Sequence, residues 1–211
     1  MSVPANSASV PVHATSEGPA QDAGLRARLV EVGVELVARE GVQALSLREI
    51  ARRAGVSHGA PRRYFPTHLD LLSAIARRGF ADLAARTAEA LDGDDASPRA
   101  RLTSLARTYL DFALTERGMY ELMFRHDLLA SDRLGLRDTS LPLFQVLVDL
   151  IVQIRPSADT PPSMTAGALW GNLHGVAQLW AWDSLPLATG SDDIEPLLRA
   201  TLDAHLGPEA R

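Results

Sequence analysis

LSLREIARRAGVSHGAPRRYFPTHLDLL, residues 45–72, predicts two short helices joined by the turn Gly55-Val56-Ser57. The first helix opens at Ser46, which forms a predicted capping box with Glu49, and it ends at Gly55. The second is expected to begin at Ser57, whose side chain would serve as the N-cap. This is helix-turn-helix spacing, in which the first helix braces the second and the second presents its N-terminal residues to the major groove of DNA.

Helices are also predicted on both sides of this unit. Upstream, apolar residues recur at helical spacing from Leu25, and Gly41 stands where a C-terminal cap is expected. Downstream, Thr67 and Asp70 fit a capping box that opens a long helix. Because alternating strand patterns are absent, the sequence predicts an all-α fold. After residue 90, clusters of Gly, Pro and Asp separate further helical segments over roughly 97–116, 118–130, 140–154, 163–182 and 192–206.

Charge is unevenly distributed along the chain. The 211 residues carry a formal net charge of −5, yet residues 46–68 hold five arginines and one glutamate, which gives +4 there and −9 elsewhere. A positive patch on an acidic body can bind phosphates at one face. All 21 basic residues are arginine, a bias of the whole chain, so arginine at any single site proves little.

Composition and motif context argue against several chemistries. The absence of cysteine excludes disulfides, thiolate zinc sites and a cysteine nucleophile, and six scattered histidines show no ligand spacing. We therefore predict no metal site and no cofactor. Residues 55–59 match the G-x-S-x-G motif of hydrolases, but that motif requires a strand before its serine, and here a helix precedes Ser57. The sequence does not predict an enzyme.

The N-terminal segment, residues 1–23, is rich in Ser, Ala and Pro and is predicted to be a disordered tail. It lacks the basic start and apolar stretch of a signal peptide, so we expect a cytoplasmic protein. A membrane span over residues 163–182 is not expected, because Asn, His and Gln interrupt that segment and the mean hydropathy of the chain is −0.02.

A longer run, residues 29–83, resembles the DNA-binding region of the TetR family of transcriptional regulators. The resemblance implies a homodimer whose paired recognition helices read a palindromic operator. It also implies a long fourth helix that joins residues 24–90, the helix-turn-helix domain, to residues 97–211, a helical ligand-binding and dimerisation domain. Ligand binding in such proteins alters the spacing of the recognition helices and usually releases DNA. The matching elements are Gly41, LSLREIA at 45–51, AGVS at 54–57, Phe65 and the paired leucines 71 and 72.

The same resemblance places the recognition helix against DNA but with departures from the family pattern. Arg62 stands where a tyrosine is usual, Tyr64 where a histidine is usual, and His68 where a lysine usually opens the fourth helix. We expect Arg62 to grip a phosphate, Tyr64 to keep a hydroxyl donor, and His68 to be a weaker anchor than lysine. Arg52 and Arg53 fit either DNA contacts or solvated surface residues. The predicted DNA-contact residues are Ser46, Arg48, Ser57, His58, Gly59, Ala60, Arg62, Arg63, Tyr64 and His68.

The C-terminal region carries a weaker resemblance. Residues 170–175, WGNLHG, resemble a Trp…His-Gly signature of one TetR subgroup, and residues 119–124 resemble its Tyr-x-x-Met-Phe stretch. Since the last two helices of TetR-like proteins commonly form a four-helix dimer interface, segments 163–182 and 192–206 are the candidates here. Glycines recurring every fourth residue in the first segment predict close approach by another helix. They are Gly167, Gly171 and Gly175.

Aromatic and polar residues of this region are candidate ligand contacts. The apolar ones fit ordinary core packing as well, and His174 fits a hydrogen-bonded core histidine. The predicted ligand-binding residues are Tyr120, Met123, Phe124, Phe144, Trp170, His174 and Gln178.

Three classes of function stay open at this point. The leading hypothesis is a repressor that a small apolar effector releases from operator DNA. The second is a ligand-independent DNA-binding regulator or an activator, which a body without a cavity would favour. The third is an all-α enzyme or carrier on the same fold, against which the arginine cluster argues.

Overall fold

A computed structural model describes residues 19–92, 96–155 and 159–208. Within those ranges the chain is all-α, and two short 3₁₀ turns, Val42–Ala44 and Arg133–Gly135, supplement the helices. The predicted all-α fold is confirmed. The helices are α1 Pro19–Glu40, α2 Leu47–Arg53, α3 Ala60–Tyr64, α4 His68–Leu91, α5 Pro98–Thr115, α6 Arg117–Met123, α7 His126–Ser131, α8 Leu136–Ile154, α9 Pro162–Ala181, α10 Ser184–Thr189 and α11 Glu195–Leu206.

Local capping chemistry sets several of the predicted helix ends. Thr67 and Asp70 form a complete capping box at the start of α4. The Ser97 hydroxyl accepts the Ala100 amide at the start of α5, and Gly41 follows α1 with a φ of +78°. The side chains of Thr67, Asp70 and Ser97 satisfy backbone groups that a helix end leaves without partners, and Gly41 ends α1 by its backbone conformation, so these helices begin and end where the sequence places such residues.

Three boundaries differ from the prediction. Helix α1 already begins at Pro19, so residues 19–23 of the predicted tail are helical, whereas residues 1–18 lie outside the described residues. The segment 118–130 is two helices, α6 and α7, because the backbone of Arg125 is extended. That break lets both Phe124 and Leu128 pack on the core.

The third difference concerns α3, which begins at Ala60, three residues after the predicted start. Ser57 is not its N-cap; residues 57–59 form a turn in which the Ala60 amide donates to the Ser57 carbonyl at 3.0 Å. The physical reason is Pro61, which has no N–H to donate to the Ser57 carbonyl and is tolerated only in the first turn of a helix.

The buried core runs without a break from the helix-turn-helix unit into the C-terminal body. Helix α4 packs against α1 on one side and against α5, α6 and α8 on the other. Two glycines permit the closest contacts: a Cβ on Gly33 would clash with the Ile75 side chain, and one on Gly118 would clash with the Val37 carbonyl oxygen. The helix-turn-helix unit therefore packs against the C-terminal body through contacts among α1, α4 and α6.

Candidate nucleic-acid interface and ligand cavity

The turn between α2 and α3 has the geometry of a helix-turn-helix. Gly55 adopts a φ of +66°, which a residue with a side chain rarely adopts, and the Val56 amide donates to the Ala51 carbonyl at 3.1 Å. Ile50 and Ala51 are fully buried behind the turn. The brace helix is thus held by the core, and α3 lies at the surface.

The predicted DNA-contact residues share one exposed region around this turn. Most are exposed, while Ala60 and Tyr64 are half-buried. Arg48 and Arg62 are exposed arginines that form no ion pair with the described residues, so their guanidinium groups are available to phosphates.

Two neighbouring arginines are already paired. Arg52 Nη2 lies 2.6 Å from Glu49 Oε1, and Arg53 contacts both Glu49 at 2.7 Å and Glu40 at 2.5 Å. Hydrogen bonds from Arg52 and then Arg53 lower the pKa of Glu49 from 4.5 to about 2. Glu49 therefore does not complete the predicted capping box, although its amide does bond to the Ser46 hydroxyl.

Tyr64 and His68 have hydrogen-bond partners within the protein. The Tyr64 hydroxyl donates to Asp22 Oδ1 at 2.5 Å, and Asp22 also lies 3.8 Å from Arg63. His68 Nε2 lies 2.9 Å from the Leu45 carbonyl oxygen. Since a carbonyl only accepts, Nε2 is the protonated nitrogen, and the ring links α4 to the loop before α2.

The C-terminal body contains an apolar cavity of about 530 Å³ that opens at the protein surface. Its walls come from α4, α5, α8 and α9, with residues after α6 and in α7 closing one end. Aromatic rings that meet edge to face form part of the wall, with Phe80 and Phe124 centroids 5.7 Å apart and Phe144 and Trp170 centroids 6.2 Å apart. A cavity of this size and polarity suits a small apolar molecule.

A polar cluster lies at the aromatic end of the cavity. Trp170 Nε1 donates to the Tyr109 hydroxyl at 3.1 Å, and His174 Nδ1 lies 2.9 Å from that hydroxyl and 2.6 Å from the Tyr120 hydroxyl. Burial lowers the pKa of His174 and raises the pKa of Tyr109 to about 12. Neutral His174 in the Nε2-protonated form can accept a hydrogen bond from a tyrosine hydroxyl at Nδ1.

Family models match both parts of this arrangement. The model described as "Bacterial regulatory proteins, tetR family" matches residues 29–75, which contain α2 and α3, and "Tetracyclin repressor-like, C-terminal domain" matches residues 102–205, which contain most of the cavity wall. The chain belongs to the TetR family. It is therefore a TetR-like transcriptional regulator with a helix-turn-helix unit and a helical C-terminal domain. No curated protein sequence matches the chain at a significant level.

Solved structures share this TetR-family fold. A protein of unknown function from Rhodococcus sp. RHA1 is 26% identical with a TM-score of 0.74, covering 92% of this chain and 97% of its own. The multidrug binding protein EbrR, complexed with imidazole, is 26% identical with a TM-score of 0.60, covering 95% and 100%. AibR, in complex with isovaleryl coenzyme A and operator DNA, shares the fold at 15% identity and a TM-score of 0.61, covering 88% and 100%.

The predicted ligand residues separate into three groups in this TetR-family body. Phe124, Phe144 and Trp170 line the cavity. Tyr120 and His174 stand behind it in the polar cluster. The other two lie elsewhere: Met123 is fully buried beside Gly79, as the core-packing alternative predicted, and Gln178 is half-buried outside the lining.

Sequence reasoning missed Tyr109 and Arg137, which both line the cavity. Tyr109 lies on α5, 65 positions from His174, and nothing in its neighbourhood marks it as a site residue. Arg137 is one of many arginines in an arginine-rich chain. Only the tertiary arrangement distinguishes them.

A strained segment connects the cavity to α4. Asp132, Leu134 and Gly135 have φ values of +48°, +58° and +62°, and each non-glycine residue in this region costs about 1 kcal/mol. The segment is tied to α4 twice: Arg77 Nη1 donates to the Leu134 carbonyl at 2.6 Å, and Arg133 Nη1 donates to Asp70 at 2.9 Å. Both contacts reach the N-terminal half of α4, next to the helix-turn-helix.

Helix α9 leaves a stripe of small and apolar residues without cover. A Cβ on Gly167, Gly171 or Gly175 would meet no atom within 4 Å, so the helix predicted to approach these glycines does not come from the described part of the same chain. The neighbouring Met164, Leu179 and Trp182 are exposed at 64%, 41% and 61%. Within the described residues, no helix is both long and apolar enough to span a bilayer.

Proposed function

We propose that this TetR-family regulator is a repressor that binds a palindromic operator as a homodimer and is released by a small, largely apolar effector. The observation that carries the proposal is a single chain that combines an exposed helix-turn-helix with an apolar cavity in its helical body. In this proposal residues 24–90 bind DNA, residues 97–211 bind ligand and form the dimer, and the protein acts in the cytoplasm.

The charges around α3 support the DNA-binding half. Arg48 and Arg62 flank the turn from α2 and α3, and Ser57, His58 and Gly59 are exposed between them. The small residues Ser57 and Gly59 allow the backbone to approach base edges, while the two guanidinium groups contact phosphates on either side. Arg63 adds a third positive charge on the same helix.

The uncovered face of α9 supports the homodimer. One stripe along the helix is formed by residues at intervals of three or four positions: Met164, Ala168, Gly171, Gly175, Leu179 and Trp182. In a two-fold symmetric dimer the same stripe faces itself, and the glycines allow the two backbones to approach closely. Helix α11, which packs beside α9, completes four helices at the interface.

The contacts around the cavity support release by a ligand. Helix α6 carries Tyr120 in the polar cluster and touches α1 through Gly118. The strained segment carries Arg133, which holds Asp70 at the start of α4. A ligand that moves α6 or the strained segment therefore changes how the helix-turn-helix packs on the C-terminal body. The spacing of the two recognition helices in the dimer changes with it. The relative EbrR, which is named a multidrug binding protein, supports a small-molecule effector.

Selection of bound duplexes from a random pool tests the proposal. We expect a palindrome whose half-sites lie about 34–36 Å apart, one helical turn of DNA. The selected duplex is then titrated with the protein in the presence and absence of a library of small apolar compounds. Recovery of only non-palindromic sequences would contradict binding by a homodimer with one recognition helix on each half-site. A palindrome whose binding no compound weakens would instead favour a ligand-independent regulator.

A further inference from the structure

The lining of the cavity carries a single charge. Among its lining residues Arg137 alone is charged, and Thr87 and Ser140 contribute only hydroxyl groups. The rest of the wall is aliphatic and aromatic. A ligand that fits this lining has an apolar body and at most one strongly polar group.

The polar cluster at the aromatic end does not supply a partner for such a group. Trp170 Nε1 already donates to the Tyr109 hydroxyl, and the Tyr109 and Tyr120 hydroxyls are satisfied by each other and by His174 Nδ1. This end of the cavity therefore presents ring faces and edges to a ligand, and it is suited to an aromatic or aliphatic body.

Arg137 lies where the cavity meets the protein surface. It lines both the cavity and the shallow surface depression next to it, and its side chain is 50% exposed, which places this side chain at the mouth of the cavity. Its Nη2 donates to the carbonyls of Leu129 and Ala130 at 3.2 and 3.4 Å, and its Nε lies 4.0 Å from Asp132 Oδ1. For Nη1 the described residues provide no hydrogen-bond acceptor, so part of the planar donor fork remains available.

We propose that the effector is an apolar carboxylate, bound with its hydrocarbon body between the aromatic rings and its carboxylate on Arg137. This inference rests on the proposed function, because it names the ligand class of the same cavity. A guanidinium fork binds a carboxylate through two parallel hydrogen bonds and discriminates against neutral isosteres. The Asp132 carboxylate accepts a hydrogen bond from the Arg137 backbone amide at 2.9 Å. This bond holds the Asp132 side chain in place, so Asp132 does not have to move when a carboxylate binds Arg137.

The same contact explains how such a ligand reaches α4. A carboxylate on Arg137 competes with the carbonyls of Leu129 and Ala130, which tie the start of α8 back to α7. Between those two helices lies the strained segment that bears Arg133. Loss of the hydrogen bonds from Arg137 to these carbonyls allows the strained segment to move, and the contact between Arg133 and Asp70 changes with it.

Calorimetric titration of the full-length protein without DNA tests the ligand class. The probes are 6-phenylhexanoate, 6-phenylhexanamide and 6-phenylhexylamine, which share one body and differ in the head group; decanoate replaces the ring with a chain. We expect the carboxylates to bind at least about tenfold more tightly than the amide, and the amine to bind least. Comparison of 6-phenylhexanoate with decanoate shows whether the rings favour an aromatic body.

Variants at the mouth complete the test. Arg137→Gln should abolish the preference for carboxylate over amide while amide binding persists, and Arg137→Lys should retain part of the preference. Arg39→Gln removes an exposed arginine of α1 that is not part of the cavity lining and should change nothing. Equal binding of acid and amide by the wild type, an unaltered preference in Arg137→Gln, or no binding of any probe at millimolar concentration would overturn the inference. Because these titrations contain no DNA, failure of operator binding would leave their result intact.

Discussion

Arg133 Nη1 donates a 2.9 Å hydrogen bond to Oδ1 of Asp70, while the other oxygen of Asp70 closes the capping box at the start of α4. Asp70 is therefore shared between the helix that carries the DNA-binding unit and the strained segment beside the cavity. The bond crosses 63 positions of sequence. One carboxylate thus takes part both in the cap of α4 and in a contact with the segment that precedes α8.

A double-mutant cycle should detect this link. We expect Arg133→Gln and Asp70→Asn to show a coupling of about 1 kcal/mol in the free energy of unfolding, because the pair is partly buried and hydrogen-bonded. Asp70→Asn should destabilise more than Arg133→Gln, since it also weakens the cap. Urea denaturation at neutral pH measures both effects, and strictly additive single variants would show that the pair contributes nothing.

The coupling should depend on pH in a defined direction. Burial raises the pKa of Asp70, but hydrogen bonds from Thr67 and Arg133 outweigh it, so the folded pKa lies below 3.8. A depressed carboxyl pKa stabilises the fold above the unfolded value, and that contribution is lost as the pH falls through the folded value. The coupling should thus be unchanged between pH 7 and pH 5 and disappear only in stronger acid. A loss near pH 5 would contradict this assignment.

Arg48 and Arg62 should contribute most of the salt dependence of DNA binding. Replacing either by alanine removes one phosphate contact from each half-site, so the slope of log K against log salt should fall by about 2 for the dimer. Fluorescence anisotropy with a labelled operator over a range of salt measures the slope. Arg125→Ala, remote from α3, is the control. If the slope of the Arg48 and Arg62 variants stays at the wild-type value, these residues do not contact phosphates.

Glu49 should restrain DNA binding. Its carboxylate pairs with Arg52 and Arg53, and because its pKa is about 2 it stays ionised throughout the physiological range. Glu49→Gln therefore removes one negative charge beside the recognition helix: Arg52 loses its acidic partner, while Arg53 keeps its pair with Glu40. We expect tighter binding to nonspecific duplexes and a steeper salt slope, measured by the same anisotropy titration. Glu121→Gln, which removes a glutamate from α6, is the matched control. Weaker nonspecific binding by Glu49→Gln would show that its pairs with arginine hold the DNA-binding surface in shape.

Gly171→Arg should separate the fold from the dimer. Gly171 is exposed and has open space at its Cβ, so the protomer should fold as before, while two guanidinium groups would meet across the proposed symmetric interface. Light scattering after size-exclusion chromatography should show a monomer. Ala88→Arg, on the exposed side of α4, should remain a dimer. A dimeric Gly171→Arg variant would place the interface elsewhere.

Much of the fold could be predicted because helix ends depend on neighbours within four positions. Thr67, Ser97 and Gly41 act where local chemistry places them. The same local reasoning misplaced the start of α3, since it weighed the capping tendency of Ser57 and gave too little weight to the missing amide of Pro61. It also predicted that Glu49 completes a capping box, whereas the Glu49 carboxylate accepts hydrogen bonds from Arg52 and Arg53 on its own helix.

The sequence by itself determined the helical fold, the helix-turn-helix and the positive charge around it, because each depends on residues close together along the chain. Tertiary structure alone decided which arginines are unpaired, that the Tyr64 hydroxyl turns to Asp22, and that Tyr109 meets His174 and Arg133 meets Asp70. Those contacts join residues 42, 65 and 63 positions apart. Periodicity and capping specify a helix and the face it buries, but not the partner that the packing of several helices brings to a given side chain.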